Sequence, residues 1–303
     1  MRIHTHFLFF AFLFVGTHLS TFSQQANKEL KVMTYNIWNG FDWGKDTTRN
    51  ERLIQWVKEQ NPDVLALQEL CNYDVDKLKK DAAQWGHHYV QILKEKGYPT
   101  ALTSKEPIIL IEKNVDNFWH GLLHVQTYGI DFFVVHLSPS DADFRLREAQ
   151  QIKSRIQELS TDAYIILGDF NAHSPLDAYW MESKTALKTK MANEKNEQYS
   201  NLRLGEFDYA PMSEFLSIPA IDVSLGKVDR EASFTFPSPA LIGLYGQTGE
   251  SIIQNRVRID YILASPSLAK TCSQVKIFNH GAPETLSDHF PVMAVFQISS
   301  ETN

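Results

Sequence analysis

An aspartate and an asparagine two positions apart close the segment Tyr164-Ile165-Ile166-Leu167-Gly168-Asp169-Phe170-Asn171, directly after an apolar run. On an extended path that spacing turns both side chains to one side. An ionised Asp169 would then orient or deprotonate a water, and Asn171 would donate to that water or to a phosphate oxygen. Taken alone, the pair reads more readily as an Asx turn, because both residue types are ordinary turn formers. The pattern recurs, however. Glu69 follows Val64-Leu65-Ala66-Leu67-Gln68, and Asn36 follows Val32-Met33-Thr34-Tyr35. A carboxylate in that place suits a hard divalent cation such as Mg²⁺, which takes oxygen ligands, keeps several waters and needs only one or two protein carboxylates. Asn36 would add an amide oxygen or orient Glu69.

In Leu286-Ser287-Asp288-His289-Phe290-Pro291-Val292 an acid and an imidazole precede a last apolar run. Adjacent side chains on a strand point oppositely, so the two need different roles: Asp288 toward a metal, His289 toward the reacting phosphate. Asp260, in Ile259-Asp260-Tyr261, would hold the imidazole and favour its cationic form. His136, after Phe132-Phe133-Val134-Val135, is a second imidazole at a strand end and would hydrogen-bond a non-bridging phosphate oxygen. His120, His124 and His173 have weaker contexts and are expected to be structural. The neighbours His87 and His88 cannot readily converge on one zinc, and no Cys/His spacing of a zinc site is present. Phe234-Thr235-Phe236-Pro237 and Arg256-Val257-Arg258 offer an apolar wall and a phosphate clamp near the site, with ordinary loop packing the favoured alternative.

The elements that must position these groups are strand-like runs at Val32–Trp38, Val64–Leu67, Ile108–Ile111, Leu122–Gln126, Phe132–Leu137, Tyr164–Leu167, Ile259–Leu263 and Val292–Phe296. Helical patterns lie between them. One opens at Thr48, with Glu51 completing a capping box, and stops at Asn61-Pro62; a second runs from about Asp74 to Trp85, with Gly86 as C-terminal cap; a third runs from about Phe144 to Leu159. In the third, Arg145, Arg147, Lys153 and Arg155 are expected to be solvated charges. Met181 to Arg203 is polar and weakly periodic and reads as a surface insertion. These patterns predict one α/β domain over residues 24–303.

At the N-terminus, Arg2, the apolar run Phe7 to Gly16, and the small residues Thr21 and Ser23 read as a cleaved secretory signal over residues 1–23. The run is shorter than the roughly 20 residues needed to span a bilayer, and no later stretch is membrane-spanning in character. Export to a periplasmic or extracellular space follows. Cys71 and Cys272 are the only cysteines, too few for a disulfide framework. The formal charge of −7 becomes −8 once Arg2 is removed with the signal. Such a balance disfavours tight binding to long nucleic acid, which rests on Lys and Arg neutralising many phosphates, but leaves a nuclease open, since local potential differs from net charge.

Thr34-Tyr35-Asn36, Gln68-Glu69, His136, Gly168-Asp169-Phe170-Asn171, Asp260-Tyr261 and Ser287-Asp288-His289 together resemble, in matching order over nearly all of the mature chain, the endonuclease/exonuclease/phosphatase family. The resemblance implies a four-layer α/β sandwich, two packed mixed sheets flanked by helices. It also implies Mg²⁺-dependent phosphoester hydrolysis, with Mn²⁺ as a substitute. On that basis Glu69 would bind the principal metal, helped by Asn36 and Asp288. Asp169 and Asn171 would position the attacking water, and Asp260 and His289 would form an acid-imidazole pair beside the phosphate. His136 falls where some members use His and others Tyr. The preferred expectation is an exported hydrolase of a small or lipid-linked phosphoester. The alternatives are an exported nuclease acting on DNA or RNA, and a non-catalytic binding protein on the same fold.

Overall fold

The computed structural model describes residues 27–194 and 198–299; the expected signal segment lies outside them. Two six-stranded mixed sheets dominate. The first runs in the order Cys272–Ile277, Val292–Ser299, Asn27–Asn36, Val64–Gln68, Ala101–Ser104, Tyr89–Ile92, and the second in the order Ile221–Asp222, Asp260–Ala264, Tyr164–Asp169, Ile130–His136, Leu122–Thr127, Ile109–Asn114. Side chains alternate along each strand, so Val32, Val64, Phe132, Val134, Ile165, Leu167 and Phe296 fill the space between the sheets. Met33, Tyr35 and Leu65 point the other way, onto the helices Thr47–Gln60 and Val75–Gln84. Phe133, Val135 and Ile166 meet the helices Ala142–Gln157 and Ala210–Leu216. Helix, sheet, sheet, helix: this is the expected four-layer sandwich. Because both faces of each sheet are covered, its strands read as continuous apolar runs, and all eight predicted runs are strands.

Local chemistry sets the boundaries. Asp46, not Thr48, caps the first helix by accepting from Arg49 N, and Asn61 ends it in the left-handed conformation at φ 51°. Asp74 and Asp141 cap the next two long helices. Arg145, expected in solvent, is buried and donates to Ser138 O and Asn201 Oδ1. Arg155 and Lys153 do reach the surface, pairing with Glu112 and Glu214. Among the described residues of the Met181–Arg203 stretch, the helix Thr185–Glu194 sends Leu187 into a small apolar cluster with Leu202, Val257 and Ile259. Cys71 and Cys272 are both buried and unpaired. Among the described residues, no helix is long and apolar enough to cross a membrane.

Directly after Asn36 the chain makes a left-handed turn. Trp38, Asn39, Gly40, Phe41, Asp42 and Trp43 all have φ between 51° and 63°. For L-residues that conformation costs about 1–2 kcal/mol each, so the surroundings must over-determine it. Arg49 does much of this, donating to the carbonyls of Ile37, Trp38 and Leu286 while its guanidinium lies 4.9 Å from the ring centres of Trp38 and Phe41. Gly40 is required as well, because a Cβ there would sit 2.1 Å from Cys71 O. Arg49→Met should therefore lower the unfolding free energy by about 3 kcal/mol, since it strands three carbonyls at a buried position. Urea denaturation of the two proteins measures this.

Candidate active site

Strand register brings the acids together. Asp260 pairs with Asp169, and Asp169 with His136, across three adjacent strands of the second sheet. Gly168 makes the close approach possible: at φ 140°, a Cβ would lie 2.0 Å from Val135 O. The first sheet contributes Asn36, paired with Gln68 immediately before Glu69. Asp288 and His289 arrive on the segment that enters the last strand, anchored by Ser287 Oγ, which donates to Asn36 O at 2.6 Å.

The eight residues singled out by sequence converge. Asn36 Nδ2 donates to Glu69 Oε1 and to Asp169 Oδ2, each at 3.1 Å, and lies 3.5 Å from His289 Nε2. Because Asn36 Oδ1 accepts from Trp38 N, the amide turns its N–H groups, not its oxygen, toward the acids. Glu69 Oε2 also accepts from Asn39 N at 2.7 Å. His289 Nδ1 meets Asp260 Oδ2 at 2.9 Å, leaving Nε2 3.7 Å from Asp169 Oδ2. His136 Nε2 lies 3.6 Å from Asp169 Oδ2 and 4.0 Å from Glu69 Oε1. Asn171 is partly a turn residue: its N–H donates to Asp169 Oδ1, and its Nδ2 donates to Leu137 O.

Glu69, His136, Asp169, Asn171, Asp288 and His289 line one cleft of about 410 Å³, with Asn36 and Asp260 bonded to them from behind. Its walls are aromatic: Trp38, Tyr98, Trp119, Tyr245 and Phe236 join the polar set, and Phe236 lies 4.8 Å from the His289 ring. Among the described residues no lysine or arginine lines it. Arg258, a candidate phosphate clamp, is instead buried in ion pairs with Asp177 and Asp222, and Arg256 stacks over Phe234 at 4.1 Å.

Burial among like charges sets the protonation states. Burial, helped by the Asp260 and Glu69 charges, pushes Asp169 up to about 7, against His289 and the Asn171 N–H. Burial and Glu69 raise Asp288 to about 6. For His289 burial favours the neutral ring, but Asp260, Asp169 and Asp288 outweigh it and hold the imidazole well above its ordinary range, hence cationic. His136 is held well below that range by burial and then by His120, His289 and Lys94.

Asp169, Asp260 and His289 bring ligating atoms within 4.8 Å of one another, and Glu69 and Asp288 add carboxylates to the same cleft. That set of buried and half-buried acids, with Asp260 Oδ1 left without a partner, suits a divalent-cation site.

Sequence reasoning missed His120 and Glu148. His120 lines the cleft and stacks on His136. Glu148 is fully buried on the helix Ala142–Gln157 and accepts from Trp119 N at 2.8 Å and Ser138 N at 2.7 Å, so it ties two cleft-wall loops together. Burial raises it from 4.5 to about 7, against those two N–H groups and Arg145. The folded state therefore holds a proton that the unfolded chain releases near pH 4.5, and this contribution to stability falls as pH rises from about 4.5 to 7. Between pH 4.5 and 8, wild type should lose about 3 kcal/mol more than Glu148→Gln, measured by denaturant titration at each pH.

Fold and site together define a metal-dependent hydrolase of phosphoric esters. Residues 33–289 match the Endonuclease/Exonuclease/phosphatase family, and the chain belongs to it. Among solved structures it is similar to an AP endonuclease from Archaeoglobus fulgidus, with 23% identity, TM-score 0.67, and coverage of 89% of this chain and 100% of that one. The 3' phosphatase NExo from Neisseria, bound to a product DNA hairpin, gives 19% identity, TM-score 0.63 and the same coverage. A humanized D. rerio TDP2 gives 17%, TM-score 0.57, and coverage of 89% and 99%. At these identities the likeness is one of fold. No curated protein sequence matches the chain.

Proposed function

We propose that this is an exported, single-domain, Mg²⁺-dependent phosphodiesterase that cleaves nucleic-acid phosphoesters, the mature enzyme spanning residues 24–303. The observation that carries the reading is the convergence, from the ends of both sheets, of Glu69, Asp169, Asp288 and the Asp260–His289 pair on one cleft. Substrate class is supported by the structural neighbours, whose names include an AP endonuclease and a 3' phosphatase bound to DNA. The chain's own small or lipid-linked alternative is favoured by one observation, the absence of lysine and arginine from the described cleft walls.

Glu69 and Asp288 are the residues that would hold the cation, as hard carboxylate oxygens with room for water. When bound, Mg²⁺ or Mn²⁺ supplies charge that offsets the negative charge growing on the phosphoryl oxygens. Asp169, poised near neutral pH, takes the proton of the attacking water. Asn36 and the Asn171 N–H hold its two oxygens in place. Cationic His289, fixed through Nδ1 by Asp260, directs Nε2–H at the reacting phosphate, and His136 offers Nε2 from the other side.

The test is cleavage of short single-stranded DNA and RNA across salt concentrations, beside turnover of sphingomyelin in vesicles. The proposal expects Mg²⁺-dependent cleavage of oligonucleotides with a shallow salt dependence, because no lysine or arginine lines the described cleft to displace counterions from the bound phosphates. Vesicle lipid turnover without oligonucleotide cleavage would select the alternative.

A further inference from the structure

We propose that His120 is a further substrate-contacting residue of this cleft, an imidazole N–H donor to a non-bridging oxygen of the bound phosphoester; the inference rests on the phosphoesterase reading above.

The ring is held in place from three directions. It stacks on His136 with centres 4.0 Å apart and planes 19° from parallel, and Tyr98 packs edge-on at 5.4 Å. Gly121, at φ 110°, lets the loop press inward, since a Cβ there would lie 2.5 Å from Leu93 Cδ2 and 3.0 Å from Asn114 O. Glu148 bonds the backbone of Trp119, next to His120, and that of Ser138, two residues after His136. One buried carboxylate thus fixes the two histidine-bearing segments against each other.

So strict a placement leaves the polar atoms unused. His120 is only 7% exposed, yet among the described residues its ring makes no hydrogen bond, and it faces the cleft. Unlike His136 Nδ1, which is buried without a partner, the His120 ring nitrogens are not sealed from the cleft, so they are free to meet a ligand there. A phosphoester beside His136 supplies the acceptor. The cleft also needs the donor. With no lysine or arginine along the described walls, charge developing on the phosphoryl oxygens is met by the cation and by imidazoles, and neutral imidazole carries one N–H. Its neighbour His136 stacks on it and lines the same cleft, so the two rings stand together at the substrate space.

The variants separate donation from packing. His120→Phe keeps a flat ring over His136 and removes the donor; His120→Gln restores an N–H. With bis(4-nitrophenyl) phosphate and Mg²⁺, His120→Phe should lose about 10²-fold in kcat with little change in KM, the cost of one preorganised donor. His120→Gln should recover part of that loss. Wild-type kcat in His120→Phe would overturn the proposal, as would equal losses in the Phe and Gln variants. A second readout does not depend on turnover: inorganic phosphate added with Mg²⁺ should shift the ¹⁵N–¹H resonances of the His120 ring. No shift, in a protein that hydrolyses the diester, would overturn the assignment while leaving the phosphoesterase reading intact. An inactive wild type whose His120 resonances respond to phosphate would reverse that judgement.

Discussion

Asp169→Asn should reduce phosphodiester turnover by about 10³-fold, the contribution expected of a positioned general base, without weakening the fold. The carboxyl group sits among a cationic ring, a neutral amide donor and a second acid. His289 Nε2 approaches to 3.7 Å, Asn36 Nδ2 donates at 3.1 Å, and Asp260 lies across the strand pair. Burial pushes it up to about 7, so near neutral pH it is half ionised and able to accept a proton. The same shift makes the site a cost to stability. A folded-state value above the unfolded 3.8 means that stability is lost as pH rises through about 4 to 7. The amide does not titrate, so Asp169→Asn should be as stable as wild type or more so at pH 8, in the absence of Mg²⁺. Loss of activity with gain of stability is the signature of a functional residue held against its preference. Steady-state rates and chelated melting curves at pH 8 measure the two halves.

Glu69→Gln should abolish the response to the cation. In wild type both carboxylate oxygens are already oriented, one by Asn36 Nδ2 and the other by Asn39 N at the left-handed turn. The amide retains an acceptor for one of these donors, so the fold persists, but the charge that attracts a divalent ion is gone. A ligand that binds only the folded state stabilises it by about 2.7 kcal/mol at 100 times its dissociation constant. Wild type should therefore melt higher with Mg²⁺ than with chelator, and Glu69→Gln should melt equally in both. Its turnover at a fixed Mg²⁺ concentration should fall by about 10²-fold or more, the scale on which loss of a charged metal-site group acts.

What was legible in the chain follows from which signals are local. Runs such as Phe132–Leu137 and Tyr164–Leu167 announce themselves because sheets covered on both faces need apolar side chains in both directions. Tyr89–Ile92 and Cys272–Ile277 escaped notice because they are edge strands with exposed positions, and Ala101–Ser104 because half of a buried strand is Thr and Ser. The eight predicted site residues all end apolar runs or sit beside them, and strand register brings those ends together. His120 carries no such mark. Its place depends on Gly121 meeting Leu93 and on Glu148 reaching back from a distant helix. One signal for that helix was available: Arg145 and Glu148 fall at three- and four-residue spacing with Ala149, Ile152 and Ile156, on the buried face. A charged side chain on an apolar stripe is a request for an internal partner. The preference for a small or lipid-linked substrate rested on net charge, and the absence of lysine and arginine from the described cleft walls points the same way.

The central claim is that acids from two sheets hold a divalent cation so that water can displace an alcohol from phosphorus. Its most direct measurement is release of 4-nitrophenol from bis(4-nitrophenyl) phosphate by the purified wild-type chain, followed through addition of Mg²⁺, then excess chelator, then Mg²⁺ again. The account predicts turnover that starts, stops and resumes with the cation. A rate unchanged by chelation, or no release at any Mg²⁺ or Mn²⁺ concentration, would contradict it.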